Sequence, residues 1–326
     1  MTAWSFDPPL GQEQALKLLA GDLERGRLAH AYLFEGPEGA GKATLARSLA
    51  ARMLCRAPGA ACGRCHACRM LAGGNHPDVL ELPREVTELR IGRFMDRPGV
   101  KSESVDHQPL LDFLRFKPME AERRIAIIPD AERMRSEAAN AFLKTLEEPP
   151  GSPLILLTVV SRDRLPATIV SRCRLVAVKP LPPEKIAAEL ARRGLSSGAD
   201  ARDLAMAAEG SLGMAMRLAG GDALELWRWL IGEGFAKPGA PAARMLAERL
   251  QAFGSGVDSA GKRDSAVAAL DLAALAVRRM LRGTLDARKG AECLAVLWEA
   301  ADRVRRNVAV DLALSSAAYS LMAAMK

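Results

Sequence analysis

"HAYLFEGPEGAGKATLARSL", residues 30–49, decides the fold. An apolar run, Ala31 to Phe34, feeds a glycine-rich turn, and the turn opens an alanine-rich segment of helical character. The spacing Gly36-x4-Gly41-Lys42 is that of a P-loop. In such a loop, backbone N–H groups at a helix N-terminus wrap phosphates and the lysine reaches the terminal ones. Gly36, Gly39, Gly41 and Lys42 are therefore the candidate phosphate cradle. The next residue normally holds Mg²⁺ through a Ser or Thr hydroxyl. Here it is Ala43, which has none. Thr44 follows, about 100° further around the helix, and points elsewhere.

A hydrolysing P-loop also needs a strand that ends in Asp, usually followed by Glu. "RIAIIPDAERM", residues 124–134, supplies Asp130 as the candidate metal-side carboxylate. Ala131 stands where a water-activating carboxylate is expected, Glu132 comes one position late, and Pro129 restricts the strand end. Nucleotide binding at this site stays open, and hydrolysis is not expected.

Around these motifs, strands alternate with helices. Val79–Leu82, Arg124–Ile128, Leu154–Val160 and Leu175–Val178 read as strands; Gln12–Leu28, Pro109–Arg115 and Arg133–Glu148 read as helices, the last stopped by Pro149-Pro150-Gly151. Such alternation implies a parallel sheet covered on both faces. Residues 84–104 are polar and fit no element. After the proline cluster Lys179–Pro183 the strands stop. Residues 184–219 read as small helices around a Gly210-Ser211 turn, and 222–326 as helix throughout, broken at Lys237-Pro238-Gly239 and near Gly254–Gly261. The expected fold is an α/β P-loop domain over 1–179, a small helical domain over 180–220 and an all-α domain over 221–326.

The 326 residues are 49% hydrophobic and 26% charged, ordinary for a folded chain, and only 4% aromatic, which favours helices. A net charge of +7 permits a polyanionic partner without requiring one. "MTAWSFDPPL" lacks a basic region followed by an apolar core, and no run of apolar residues is long enough for a membrane span. A cytoplasmic protein is expected. Four cysteines, Cys55, Cys62, Cys65 and Cys68, form C-x6-C-x2-C-x2-C. Two C-x2-C steps place sulfurs on one ion, and four thiolates leave no open position, so a structural zinc is expected. Gly59 and Gly63 supply backbone freedom. His66 lies within the knuckle but is not needed as a ligand, and Cys293 reads as a small core residue.

Taken in order, Gly11-Gln12, the P-loop, the cysteine knuckle, Asn75-His76-Pro77-Asp78, "ANAFLKTLEEPP" (139–150) and Ser171-Arg172-Cys173 resemble the bacterial clamp-loader subunits of the AAA+ class. The resemblance covers residues 1 to about 220 well, and the remainder only in size and class. It implies an AAA+ module (the αβα domain plus the helical lid) and a helical collar that assembles a pentamer. It implies gamma/tau and delta subunits as partners. Through the complex it implies contact with the ring-shaped sliding clamp and primer–template DNA, and no membrane.

Laid on the family's pattern, two further positions depart from the ATP-hydrolysing motor type. The polar sensor at the end of "LILLTVV" falls on Val160, and the lid's Gly-Ser-x-Arg appears as Gly210-Ser211-Leu212-Gly213, with Arg217 a turn further on. With Ala43 and Ala131 these imply a non-hydrolysing, stator-like subunit. The alternatives are a gamma/tau-type motor and an unrelated zinc-stabilised nucleic-acid-binding module. The resemblance gives Arg172 the role of an arginine finger acting on a neighbour's nucleotide. Ser171 and Cys173 support its turn. Glu147, Glu148 and Lys144 read as structural rather than acid–base groups, and Arg133, Arg135 and Lys144 mostly as solvated faces, contact with DNA phosphates being the lesser alternative.

Overall fold

A computed structural model describes residues 9–58, 61–83, 89–95, 109–220, 222–253, 259–283, 285–306 and 308–325. Most of the 84–104 segment, the 1–8 terminus, Gly59 and most of the 254–261 break therefore lie outside the described residues. The chain divides into two compact units, Met1–Leu181 and Pro182–Lys326.

In the first unit, β1 (Ala31–Glu35), β2 (Val79–Glu81), β3 (Ile125–Ile128), β4 (Leu154–Val159) and β5 (Arg174–Ala177) form one sheet in the order β2-β3-β4-β1-β5, and every pairing is parallel. The three inner strands are buried along nearly their whole length. That is why they read as unbroken apolar runs rather than as alternating ones. The period of two still sorts their side chains. Ala31, Leu33, Ile155, Leu157, Ala126 and Ile128 face one apolar cluster, and Tyr32, Phe34, Leu154, Leu156, Ile125 and Ile127 face the other.

Helices α1 (Glu13–Glu24) and α2 (Lys42–Leu54) cover the second face, through Ala15, Leu19, Leu45, Leu49 and Leu54. After α3 (His66–Ala72), helices α4 (Leu110–Arg115), α5 (Ser136–Glu147) and α6 (Ala167–Val170) cover the first, through Leu110, Leu114, Phe142, Leu146 and Ile169.

Two expected helices are shorter than the sequence suggests. The first ends at Glu24, where Gly26 takes φ +63° and the N–H of Arg27 returns to Asp22 O. The helix expected from Arg133 starts at Ser136. Residues 133–135 instead pair with Leu89: its N–H donates to Arg133 O at 2.9 Å, and Arg135 N–H donates to Leu89 O at 3.1 Å. A long-range bridge overrode local helix propensity there.

Asp78 anchors the loop before β3. It is fully buried, and its carboxylate accepts from the N–H groups of Met119 (2.7 Å), Glu120 (2.7 Å) and Ala121 (2.8 Å), with Arg124 at 3.5 Å. Burial alone would raise its pKa; the three N–H groups and the guanidinium outweigh this and hold it below the ordinary 3.8. A depressed carboxyl contributes stability that is present above the unfolded value and lost as pH falls through the folded one. Asp78→Asn is expected to cost about 3 kcal/mol at neutral pH, because an amide N–H₂ replaces an acceptor that buried donors need. The cost should shrink as pH falls below ~4, where the unfolded chain's carboxyl takes up its proton first, and vanish only once the folded carboxyl, held lower, is protonated as well. Urea unfolding of both proteins at neutral and acid pH checks this; a cost independent of pH contradicts it.

The second unit is helical throughout its described residues. It comprises α7 (Pro183–Arg192), α8 (Gly198–Ala207), α9 (Leu212–Leu218), α10 (Ala223–Trp229) with a π-turn at Leu230–Gly234, α11 (Ala240–Ala252), α12 (Ser259–Leu281), α13 (Ala287–Arg305) and α14 (Val310–Ala324). Helices α11 to α14 pack on one another, and α7 to α9 pack together and meet α10. Glu209, at φ +47°, joins the α8–α9 corner to the residue just after α12 by accepting from Arg282 at 2.6 Å. No helix among the described residues is long and apolar enough to cross a membrane.

Candidate functional site

The glycine cradle is built as its spacing requires, and each glycine has its own reason. A Cβ on Gly36 would sit 2.1 Å from Val178 O, so the loop lies against the end of β5 only because that side chain is missing. Gly39 and Gly41 take φ +71° and +98°, the left-handed region that glycine adopts without strain. Helix α2 starts at Lys42. The lysine is buried, and its Nζ donates to Gly36 O at 2.8 Å and Pro37 O at 2.9 Å, so the ammonium is held over its own loop. Ala43 is buried in the helix's first turn. Thr44 is half-buried, and its carbonyl accepts from the Ser48 hydroxyl at 2.8 Å.

At the C-terminal ends of the strands the polar groups are engaged with neighbouring loops. Asp130 sits at φ +48°; its N–H donates to Thr158 Oγ1 at 3.0 Å, and its carboxylate lies 3.7 Å from Arg133. The Glu132 carboxylate turns onto the end of β4 and accepts from Val160 N–H at 3.1 Å. Glu35 likewise accepts from Arg162 N–H at 2.9 Å. In the second unit Gly213 lies inside α9, and exposed Arg217 reaches the Met214 sulfur, at 3.7 Å.

The cysteine knuckle directly follows α2. The Sγ atoms of Cys55, Cys62, Cys65 and Cys68 all lie within 4.8 Å of one another, with Cys65 and Cys55 at 3.9 Å. Four sulfurs at ~2.3 Å from a tetrahedral zinc would be ~3.8 Å apart, so the cluster already has close to the spacing an ion needs. Gly63, at φ +68°, makes the turn, and the N–H of Cys62 donates to Cys55 Sγ at 3.3 Å. N–H groups of Arg64 and Cys65 bring the Cys62 thiol down to about 6, and burial pushes Cys68 up to about 12. A dication would favour the thiolate at all four. His66 faces away, 3.6 Å from Glu120, and is not among the cluster's ligand atoms. Cys293 is fully buried in α13, as a core residue is.

Arg172 follows the single turn of α6. Its Nη1 donates to Thr168 O at 3.0 Å and lies 3.4 Å from Ser171 Oγ, and its Nη2 donates to Glu147 Oε1 at 2.7 Å. Cys173 packs against the apolar cluster beneath the turn, and its burial pushes the thiol up to about 12. Ser171 is exposed on the other side and donates to Thr168 O at 3.1 Å.

Residues 11–182 match the family described as "DNA polymerase III, delta subunit". The chain belongs to that family. It is 39% identical over 175 residues to DNA polymerase III subunit delta' of Pseudomonas aeruginosa, covering 52% of this chain and 49% of that one. It is 34% identical over 222 residues to subunit tau of Escherichia coli, covering 66% of this chain and 32% of that one. The matched segment spans about half the length of the delta' relatives from Bacillus subtilis and P. aeruginosa. A gamma subunit-related protein of Thermotoga maritima superposes with a TM-score of 0.49 and 19% identity, covering 96% of this chain and 100% of that one. The reading as an unrelated zinc-stabilised module falls with the family match. The fold class is the AAA+ type that the resemblance implies, a parallel αβα P-loop sheet followed by helices.

Several groups that organise this DNA polymerase III family site went unmarked in the sequence. Thr158 is the lone polar side chain in an apolar strand, which is the signal that could have found it. Gln12 stands in the sequence as part of a Gly-Gln pair and the start of a helix, with no sign of its long-range bonds. Its buried carboxamide donates to Lys179 O at 2.8 Å and Ala40 O at 3.3 Å and accepts from Lys179 N–H at 3.2 Å, tying the start of α1 to the P-loop and to the chain after β5. The Glu147–Arg172 pair spans 25 residues and had no local signal.

Proposed function

We propose that this chain is a non-hydrolysing, delta-prime-type subunit of a clamp-loader assembly, with its own nucleotide site silent and Arg172 offered to a neighbour's ATP. The observation that carries this reading is the fate of Glu132. Glu132, one position past Ala131, has one carboxylate oxygen on Val160 N–H and the other buried with no partner among the described residues, while Ala43 has no hydroxyl for Mg²⁺ and Val160 no polar side chain. An anion cradle that lacks the Mg²⁺-holding hydroxyl and a base can hold phosphate but does not activate water toward it.

On this reading residues 180–220 are the lid and 221–326 the collar, and the partners are gamma/tau and delta subunits. The clamp and primer–template DNA are engaged through the complex. Cys55, Cys62, Cys65 and Cys68 hold a zinc ion, which when bound cross-links the end of α2 to the start of α3. A second reading, a gamma/tau-type motor, is favoured by the intact Gly39, Gly41 and Lys42 and by the likeness to tau.

Steady-state ATPase of the purified chain separates the two. The expected result is no turnover above background, together with co-elution with motor and delta subunits on size exclusion. Robust turnover by the chain alone would sink the stator reading.

A further inference from the structure

Glu147 is the last residue of α5. Glu148 leaves the helix at φ −128° and ψ 74°, as a residue before proline must, and Pro149-Pro150 prevent further turns. A carboxylate in a last helical turn faces the negative end of the helix dipole, so it is poorly placed unless a cation neutralises it. Arg172 is that cation, at 2.7 Å. The guanidinium is held in two different ways. Thr168 O and Ser171 Oγ face Nη1 as neutral acceptors that fix its direction, while Glu147 faces Nη2 and cancels its charge. The pair is open to water, with side chains 35% and 50% exposed, so breaking it costs little.

From this arrangement we infer that Glu147 is the latch of the finger, a positioning residue that keeps Nη2 of Arg172 occupied until a phosphoryl oxygen of a neighbour's nucleoside triphosphate displaces it. The inference rests on the finger reading above. Once the carboxylate is displaced, Thr168 O still orients the guanidinium, so Nη2 becomes available without a search through rotamers. The latch thus competes with nucleotide for Arg172, and its removal should favour nucleotide at the site the finger serves.

The test is steady-state ATPase of the complex reassembled from this chain and its motor and delta partners, comparing wild type with E147Q, E147D, R172A and the E147Q/R172A double variant. The expected result is a KM for ATP about two- to fivefold lower in E147Q, the range that one exposed ion pair is worth, with a smaller change in kcat. E147D should give an intermediate KM, because its charge is retained on a stem one methylene shorter. The E147Q effect should vanish in the R172A background. If R172A slows turnover but E147Q leaves KM unchanged or raises it, the latch is wrong and the finger stands. If the E147Q effect persists without Arg172, Glu147 acts by another route and the latch is again overturned. If R172A leaves turnover unchanged, the finger reading fails and the latch fails with it.

Discussion

Arg172→Ala is expected to slow hydrolysis by ~10³-fold at the one neighbouring site it faces, the low end of what an arginine finger contributes to phosphoryl transfer. Charge builds up on the transferring phosphoryl group, and a guanidinium fork placed there by the adjacent subunit neutralises it in a way no group of the motor's own site replaces. The side chain already points in a fixed direction, set by Thr168 O on one nitrogen and by the core-anchored Cys173 beneath. Alanine removes only a partly exposed side chain whose ion pair contributes little to stability, so assembly should persist. On the proposed clamp-loader reading, in which this chain faces one site of several, total steady-state turnover should fall only by the share of the affected site. Single-turnover hydrolysis should lose one phase. Lysine should rescue poorly, since a point charge lacks the planar fork. A complex that contains R172A and hydrolyses ATP with unchanged phases would remove the claim.

Metal removal is the other large effect. The purified protein should contain about one equivalent of zinc, and Cys68→Ser should abolish it. Cys68 is fully buried at the base of α3, so its loss cannot be made good by a water ligand from outside. Without the proposed ion, the knuckle would be four clustered thiols, two of them buried, with nothing cross-linking the two helices. Structural zinc is worth ~10 kcal/mol or more in isolated fingers. Only part of that is coupled to the sheet here, and about 3 kcal/mol should reach the first unit, a fall in melting temperature of roughly 10 °C. Elemental analysis and thermal melting with and without a strong chelator check both parts. A metal-free protein with an unchanged melting curve would refute them.

The DNA polymerase III family match places the chain among subunits named delta', tau and gamma, and two of these names carry opposite expectations for the P-loop. Sequence alone raised the distinction through Ala43, Ala131, Val160 and Gly213. The structure adds that carboxylates left at the strand ends are turned onto neighbouring groups: one oxygen of Glu132 accepts from Val160 N–H, Asp130 lies 3.7 Å from Arg133, and Glu35 accepts from Arg162 N–H.

What the sequence determined by itself was whatever depends on short-range chemistry. The P-loop follows from glycines at fixed offsets. The inner strands follow from apolar runs whose length and β-branching suit burial on both faces. The cysteine cluster follows from ligand spacing, and the end of α5 from two prolines. What only the tertiary structure decided depends on partners far apart in the chain. Helix α5 starts at Ser136 because Leu89 claims residues 133–135. Gly36 is required because the backbone at Val178 lies against it, besides any phosphate. Glu132, which in sequence is merely a base one position late, caps β4. Glu147, which in sequence is one of two equivalent glutamates, proves to be the one that holds Arg172. Propensity and spacing act over a few residues, whereas these polar contacts form only after the sheet has brought distant loops to the same edge.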